Sequence, residues 1–176
     1  MGSVSMTKAD EVMTPAYWAA ACAHLSKKDR VMKRLIPQFG DACLVSRGDA
    51  FVTLARSIVG QQISVKAAQS VWNKFAALSK KITPAGVLKL KVDDMRAAGL
   101  SARKVEYLVD LALHFHGKTV HVKEWQSMDD EAIIAELVAI RGIGRWTAEM
   151  FLIFHLMRPN VLPLDDVGLI NGISKN

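Results

Sequence analysis

The chain has 176 residues, 51% of them hydrophobic and 23% charged, the composition of a folded globular domain rather than a disordered one, and it is long enough for one substantial core. Its net charge of +6 fits a polyanionic partner such as nucleic acid, although many basic proteins have none. Its cysteines, Cys22 and Cys43, form no Cys-x-x-Cys and cannot hold an iron–sulfur cluster, so a reduced, intracellular protein fits.

The opening "MGSVSMTKADEVMTPAYW" contains no apolar run of the signal-peptide kind, Met6 breaks the acylation pattern that Met1-Gly2 begins, and the first few residues read as an appended remnant. "PAYWAAACAHLSKKD" and "RVMKRLIPQF" follow as short helices, with Pro15 at a start and Gly40 after an end. "DAFVTLARSIV" and "SVKAAQSVWNKFAAL" are separated by "GQQI", where Gly60 breaks the first helix and Ser64 caps the second. Val65, Ala68, Trp72 and Phe75 share one face of the second, which is expected to be core. "ITPAGVLKL" and "DDMRAAGL" are short helices. "SARKVEYLVDLALHFH" is longer, capped by Ser101, with Val105, Leu108, Ala112 and Phe115 as its buried stripe. "GKTVHVKEWQSM" reads as a loop.

Residues 129–157 read as a helix-hairpin-helix. "DDEAIIAELVAI" is an amphipathic helix capped by Asp129 or Asp130, "RGIG" a hairpin, and "RWTAEMFLIFHLM" a second helix that is apolar nearly all round. Its run "MFLIFHLM", broken by His155, is far too short to span a bilayer. Gly142 and Gly144 permit backbone angles denied to other residues and let another backbone come close. Amides at the start of the second helix, with the positive end of its dipole, make a site for a DNA phosphate. On this pattern alone, a Gly-x-Gly between helices is as readily a C-cap and a turn. Farther on, "PLDDVGL" pairs Asp165 with Asp166 ahead of "VGLINGI", where either carboxylate can cap a helix.

The motifs "SIVGQQISVKAA", "GLSARKVEYL", "LVAIRGIGRWTAEM" and "LPLDDVGL", in this order between Asp49 and Ser174, resemble the helix-hairpin-helix DNA glycosylase superfamily. Within it they look like 3-methyladenine DNA glycosylase II, the alkylation-repair branch. The resemblance implies an all-α, bilobal fold over residues 1–176, with the DNA cleft between the helices around "VGQQIS" and those around the hairpin. It implies hydrolytic release of alkylated purines, chiefly 3-methyladenine, leaving an abasic site. Asp166 matches the family's catalytic aspartate, directly before the step that opens the next helix, and Asp165 is its neighbour. An anion beside C1′ stabilises the positive charge that develops on the sugar and can orient the attacking water. An alkylated purine is already cationic and departs readily, so one carboxylate suffices where sugar hydrolases need two.

By the same resemblance, Trp146 stands where superfamily members that also cut the backbone place a Schiff-base lysine, so a monofunctional enzyme without lyase activity is implied. The Trp146 indole can stack on a cationic base, or it can be a core aromatic. A relative's second pocket aromatic corresponds to Met150, which changes the shape of the base pocket. "VGQQIS" matches the family's wedge loop, making Val59, Gln61 and Gln62, beside Gly60, candidates to fill the gap left by a flipped base. The same turn can simply satisfy helix ends. Gly142, Gly144, Arg145 and Thr147 are the hairpin's DNA contacts, and the carbonyls of Val138, Ile140 and Ile143 are the place for a structural Na+ or K+; no cofactor is implied as required. Relatives continue past "VGLINGI", so the helices packing over Trp18 and the N-terminal segment are expected to be missing here.

His114, His116 and His121 lack acidic or cysteine partners at metal-ligand spacing and read as surface or loop residues. Lys27-Lys28 and Lys80-Lys81 read as solvated faces that could touch phosphate. The expected partner is double-stranded DNA carrying alkylated bases, met by a monomer away from any membrane. The expected compartment is cytoplasmic, nucleoid-associated in a prokaryote and nuclear in a eukaryote. Alternatives are excision of another damaged or mismatched base, a non-catalytic helix-hairpin-helix DNA-binding module, and a purely structural helical adaptor.

Overall fold

Helix follows helix from Trp18 to Ser174, and no strand occurs among the described residues. The computed structural model describes residues 14–46 and 48–175; Met1-Gly2 and Met6, with the signal-peptide, acylation and remnant readings drawn from them, lie outside the described residues.

Helices α1 (Trp18–Lys28) and α2 (Arg30–Leu35) meet at Asp29, which caps α2 by accepting the Met32 amide at 2.8 Å. A 3-10 turn, Ile36–Phe39, closes on Gly40. Helix α3 (Ala50–Gly60), capped by Asp49, includes Gly60 as its last residue and ends there, with Gln61 as its C-cap. A helical glycine costs about 1 kcal/mol relative to alanine, and burial of Phe51, Leu54, Ala55, Ile58 and Val59 along one face outweighs it. Helix α4 (Val65–Ala76) starts at its expected cap, Ser64. Its expected core face is only partly realised. Phe75 is buried and Trp72 packs against the core, but Val65 is 89% exposed, because the whole run 62–67 stands in solvent.

Short helices α5 (Pro84–Val87) and α6 (Val92–Ala97) pack on α7 (Ala102–His116), which starts at the Ser101 cap and buries Val105, Leu108 and Ala112 as expected, with Leu111 added and Phe115 only partly buried. Helix α8 (Asp130–Val138) is capped by Asp129, leaving Asp130 to pair with Arg158 at 3.4 Å. Helix α9 (Arg145–Phe154) is shorter than the apolar run around it, since the chain leaves the helical path at His155 and Met157 sits at φ 54. Helix α10 (Val167–Ser174) closes the series.

The core lies where α3 meets α4, α7 and α9, and where α8 packs on α9. The segment expected to be a loop, 117–128, contributes a core residue. Trp125 is 1% exposed and joins a run of ring contacts from Phe51 through Phe115 to Phe151, with centroids 5.4, 6.2 and 5.4 Å apart. Its N–H donates to Glu136 Oε2 at 2.9 Å. Glu136 also accepts the His121 amide at 3.0 Å and contacts the His121 ring at Nδ1. Burial pushes the Glu136 carboxyl up, but the Trp125 and His121 donors outweigh it and hold it below the usual carboxylate range.

The same pair raises His121, through its hydrogen bond to Glu136 and then the Glu136 charge. A histidine raised on folding stabilises fully below its unfolded value and loses that contribution as pH rises through the folded one. His121→Gln is therefore expected to lower the melting temperature at about pH 5.5 and to leave it unchanged at about pH 9. Melting curves at the two pH values check this, and an equal loss at both would refute it.

Helices α1, α2 and α10 carry no buried residue. An apolar cavity of about 790 Å³ opens among Trp18, Cys22, Met32, Phe39 and Val161, beside a hydrogen bond from the Tyr17 hydroxyl to the Met157 carbonyl at 2.8 Å.

Candidate active site

The hairpin between α8 and α9 sets the geometry. The Ile143 amide donates to the Ile140 carbonyl at 3.1 Å, and Gly142 reverses the chain at φ 85. A Cβ on Gly142 would lie 2.2 Å from the Tyr107 ring, so α7 comes this close only because the side chain is absent. Gly144 corrects the expectation of special backbone angles at both glycines. It is extended, at φ −92 and ψ 171, a conformation open to any residue. Nothing lies within 4 Å of a Cβ built there, so its lack of a side chain serves instead to keep the approach to α9 clear.

No side chain caps α9, and its first intrahelical bond runs from the Ala148 amide to the Gly144 carbonyl at 3.0 Å. The amides of Arg145, Trp146 and Thr147 precede that bond and point out of the helix end with the positive pole of the dipole. The Thr147 side chain itself is buried.

The Arg145 side chain, expected at DNA, is engaged by carboxylates of its own chain. Its guanidinium forks onto Glu131 at 2.9 and 2.5 Å and reaches Glu149 at 3.0 Å. Those carboxylates, Glu131 first, hold it above the usual guanidinium range. The i,i+4 pairing with Glu149, a buried carboxylate, was legible in the sequence and overlooked. Arg145→Ala is therefore expected to lower the melting temperature while leaving the salt slope of DNA binding unchanged, because no phosphate contact is lost. A shallower slope in salt titrations would restore Arg145 as a DNA contact.

Trp146 is 46% exposed, which rules out its reading as a core aromatic. It lines a cavity of about 670 Å³ with Thr147, Met150 and Phe154 from α9 and Val52, Thr53, Arg56 and Ser57 from α3. Sequence reasoning missed the α3 wall. The residues 52, 53, 56 and 57 do recur at helical spacing, but core spacing on the same helix masked them. Arg56 lies 5.0 Å over the Trp72 ring and donates to Gln69.

Asp166 does not line the cavity itself but reaches its wall through Trp146, 20 residues earlier, whose indole N–H donates to Oδ2 at 2.7 Å. The other oxygen, Oδ1, accepts the Leu169 amide at 2.7 Å and so caps α10. The Leu169 amide first, then the indole, hold the carboxyl below the usual range, so Asp166 is an anion at neutral pH. Capping and a charge at the cavity thus reside in one side chain. Asp165 is exposed and does not cap α10.

On the facing loop, Val59 is corrected from a wedge candidate to a core residue. It is 1% exposed because positions 55, 58 and 59 share the buried face of α3. Its carbonyl accepts Lys104 Nζ at 2.7 Å, and burial lowers the Lys104 ammonium. Gly60 is the last helical residue. Gln61 turns inward and donates to the Gly142 carbonyl at 2.7 Å, tying loop to hairpin. Gln62 stands exposed in the left-handed region at φ 58, a strained setting for a residue with a side chain.

Among the described residues no three His, Cys, Asp or Glu side chains group as metal ligands. Acidic partners do exist for two of the histidines: His114 lies 3.7 Å from Asp110, one helical turn before it, and His121 sits against Glu136, 15 residues on. Lys27, Lys28, Lys80 and Lys81 are all exposed. No described helix is long and apolar enough to cross a membrane.

The family model described as HhH-GPD superfamily base excision DNA repair protein matches residues 55–175. A DNA-3-methyladenine glycosylase of Schizosaccharomyces pombe is 35% identical over 156 residues, 85% of this chain and 68% of that protein. Two further relatives are spanned over only 55% and 46% of their length. Among solved structures, the S. pombe 3-methyladenine DNA glycosylase in complex with abasic DNA superposes with a TM-score of 0.77 at 35% identity, covering 88% of this chain and 78% of that one. A Clostridium acetobutylicum 8-oxoguanine glycosylase/lyase, at 16% identity and a TM-score of 0.73 over 90% of this chain and 57% of its own, shares the fold.

Proposed function

The chain belongs to the HhH-GPD superfamily of base excision DNA repair proteins, and from that membership we propose that it is a monofunctional glycosylase for alkylated purines, chiefly 3-methyladenine, of the glycosylase II type. One observation carries the reading: an ionised carboxylate, Asp166, hydrogen-bonded to Trp146, which lines a cavity large enough for a flipped base. The relatives named for 3-methyladenine support the choice of substrate.

In this reading the unpaired amides at the start of α9 grip a phosphate, with Gly142 and Gly144 giving the backbone its close approach. Gln62 enters the gap, since Val59 is buried and Gln61 is engaged by the hairpin. The alkylated base stacks on Trp146 beside Met150. Asp166 stabilises positive charge at C1′ as the C1′–N bond breaks and its electron pair passes to the base, neutralising the alkylation charge. Water adds its oxygen to C1′, and its proton passes through Asp166 to solvent. Trp146 has an N–H donor and no amine lone pair, so it forms no imine with the sugar.

A structural Na+ or K+ on the carbonyls of Val138, Ile140 and Ile143 belongs to the same reading. These lie at the negative end of the α8 dipole, and the Ile140 carbonyl keeps a second lone pair after accepting the Ile143 amide. The partner is double-stranded DNA, bound by a monomer in the cytoplasm, at the nucleoid of a prokaryote, or in a eukaryotic nucleus.

The test is release of free base from methylated duplex DNA, followed by borohydride trapping on the same substrate. Free 3-methyladenine with an intact abasic strand and no trapped adduct is the expected result. Release of a different base only, from a panel of lesions, would move the assignment to another damaged base. Tight binding without release would make the chain a non-catalytic DNA-binding module, and an adduct that depends on a lysine would make it a lyase.

A further inference from the structure

We propose that Trp146 is a positioning residue for the Asp166 carboxylate, and that its indole N–H contributes to the rate separately from the stacking of its ring. The inference rests on the reading of Asp166 as the catalytic carboxylate. Among the described residues, helix α10, which carries Asp166 at its N-cap, buries none of its own. The Leu169 amide, three residues on, fixes Oδ1 relative to α10 alone. It says nothing about where α10 stands. The contact with Trp146 does, because α9 is anchored in the core by Ala148, Phe151 and Leu152.

One donor on each oxygen also fixes the plane of the carboxylate. A single donor would leave it free to swing about that bond, whereas the donors from α9 and α10 together fix its orientation while each oxygen retains lone-pair capacity for C1′ or water. Pre-oriented charge is what stabilises a developing cation without reorganisation at the moment of reaction. The geometry gives Trp146 one function for its ring face, toward the base, and another for its ring edge, toward the carboxylate.

The experiment separates face from edge. Trp146→3-benzothienylalanine, introduced by stop-codon suppression, replaces the N–H by sulfur and keeps the size of the ring; Trp146→5-fluorotryptophan keeps the N–H and weakens the face. Single-turnover release of 3-methyladenine from methylated duplex DNA is followed against enzyme concentration for both variants and for Asp166→Asn. The sulfur variant is expected to lose about tenfold or more in the maximal rate with an unchanged half-saturating concentration, the size of a charge-assisted hydrogen bond. The fluorinated variant is expected to keep the maximal rate and need more enzyme for half-saturation. A wild-type maximal rate in the sulfur variant, with Asp166→Asn inactive, overturns the positioning role and leaves Asp166 in place. Wild-type release by Asp166→Asn overturns the reading of Asp166 and the proposal with it.

Discussion

Asp166→Asn is expected to reduce base release by about a thousandfold or more while leaving DNA binding and the fold intact, because it removes a charge aimed at a developing cation. The substitution keeps the cap while removing the charge and the oxygen that accepts the Trp146 indole N–H. Asparagine caps helices as well as aspartate does, so the Leu169 amide keeps an acceptor and α10 keeps its start. The pH dependence follows from the same contacts. The Leu169 amide and the Trp146 indole hold the carboxyl below its usual range, so wild-type activity should persist on the acid side until Asp166 itself is protonated there. Asp165→Asn, one residue away and outside the cap, is the matched control and is expected to stay active. Single-turnover assays and binding to abasic duplex decide the matter; an active Asp166→Asn with an inactive Asp165→Asn would reverse the assignment.

The second large effect is structural. Gly142→Ala places a Cβ 2.2 Å from the Tyr107 ring and holds it at φ 85. The left-handed backbone costs about 1–2 kcal/mol and the overpacking about 1–3 kcal/mol, together about 3 kcal/mol. For a domain of this size that is a fall of about 6–12 °C in melting temperature. Tyr107→Leu in the same chain should restore part of it, since the collision is relieved and the backbone strain is not. The Gly142 carbonyl also receives Gln61, so the shift is expected to weaken DNA binding beyond the loss of stability. Gly144→Ala provides the contrast. Its backbone is extended and its surroundings empty, so stability should hold while the added methyl obstructs the amides of α9. Equal melting curves for Gly142→Ala and wild type would show that α7 yields more easily than a packed ring should.

The helix series was legible because its caps are local. Asp49, Ser64, Ser101 and Asp129 each accept an amide three residues on, a signal confined to a few positions of sequence. The hairpin was legible for the same reason, and Asp166 and Trp146, both singled out by the resemblance of the flanking motifs, lie within hydrogen-bonding distance of each other. What stayed hidden was long-range. Trp125 reaches Glu136, the Tyr107 ring lies under Gly142, and Gln61 turns toward Gly142 rather than outward; each joins residues that no period connects. Part of the network around Arg145 stayed hidden as well. The place of Arg145 at the hairpin invites a phosphate, but the pair of carboxylates around it is decided by how α8 packs on α9. Val59 misled because membership of the loop motif says nothing about which face of α3 its side chain takes.

A side chain driven into a base stack is pushed back with equal force, and the loop from Gln61 to Ser64 has no secondary structure of its own to resist it. The resistance lies behind it. Lys104 grips the last turn of α3 through the Val59 carbonyl, and Gln61 bears on the Gly142 carbonyl, so if Gln62 enters the stack as proposed, the thrust on it is delivered into α7 and into the hairpin. If the hairpin holds the backbone of the same duplex, recoil from the stack loads the element that keeps the duplex in place. Action and reaction then close within a few residues, like the two jaws of a clamp sharing one frame. The rest of the fold need not stiffen for the loop to push.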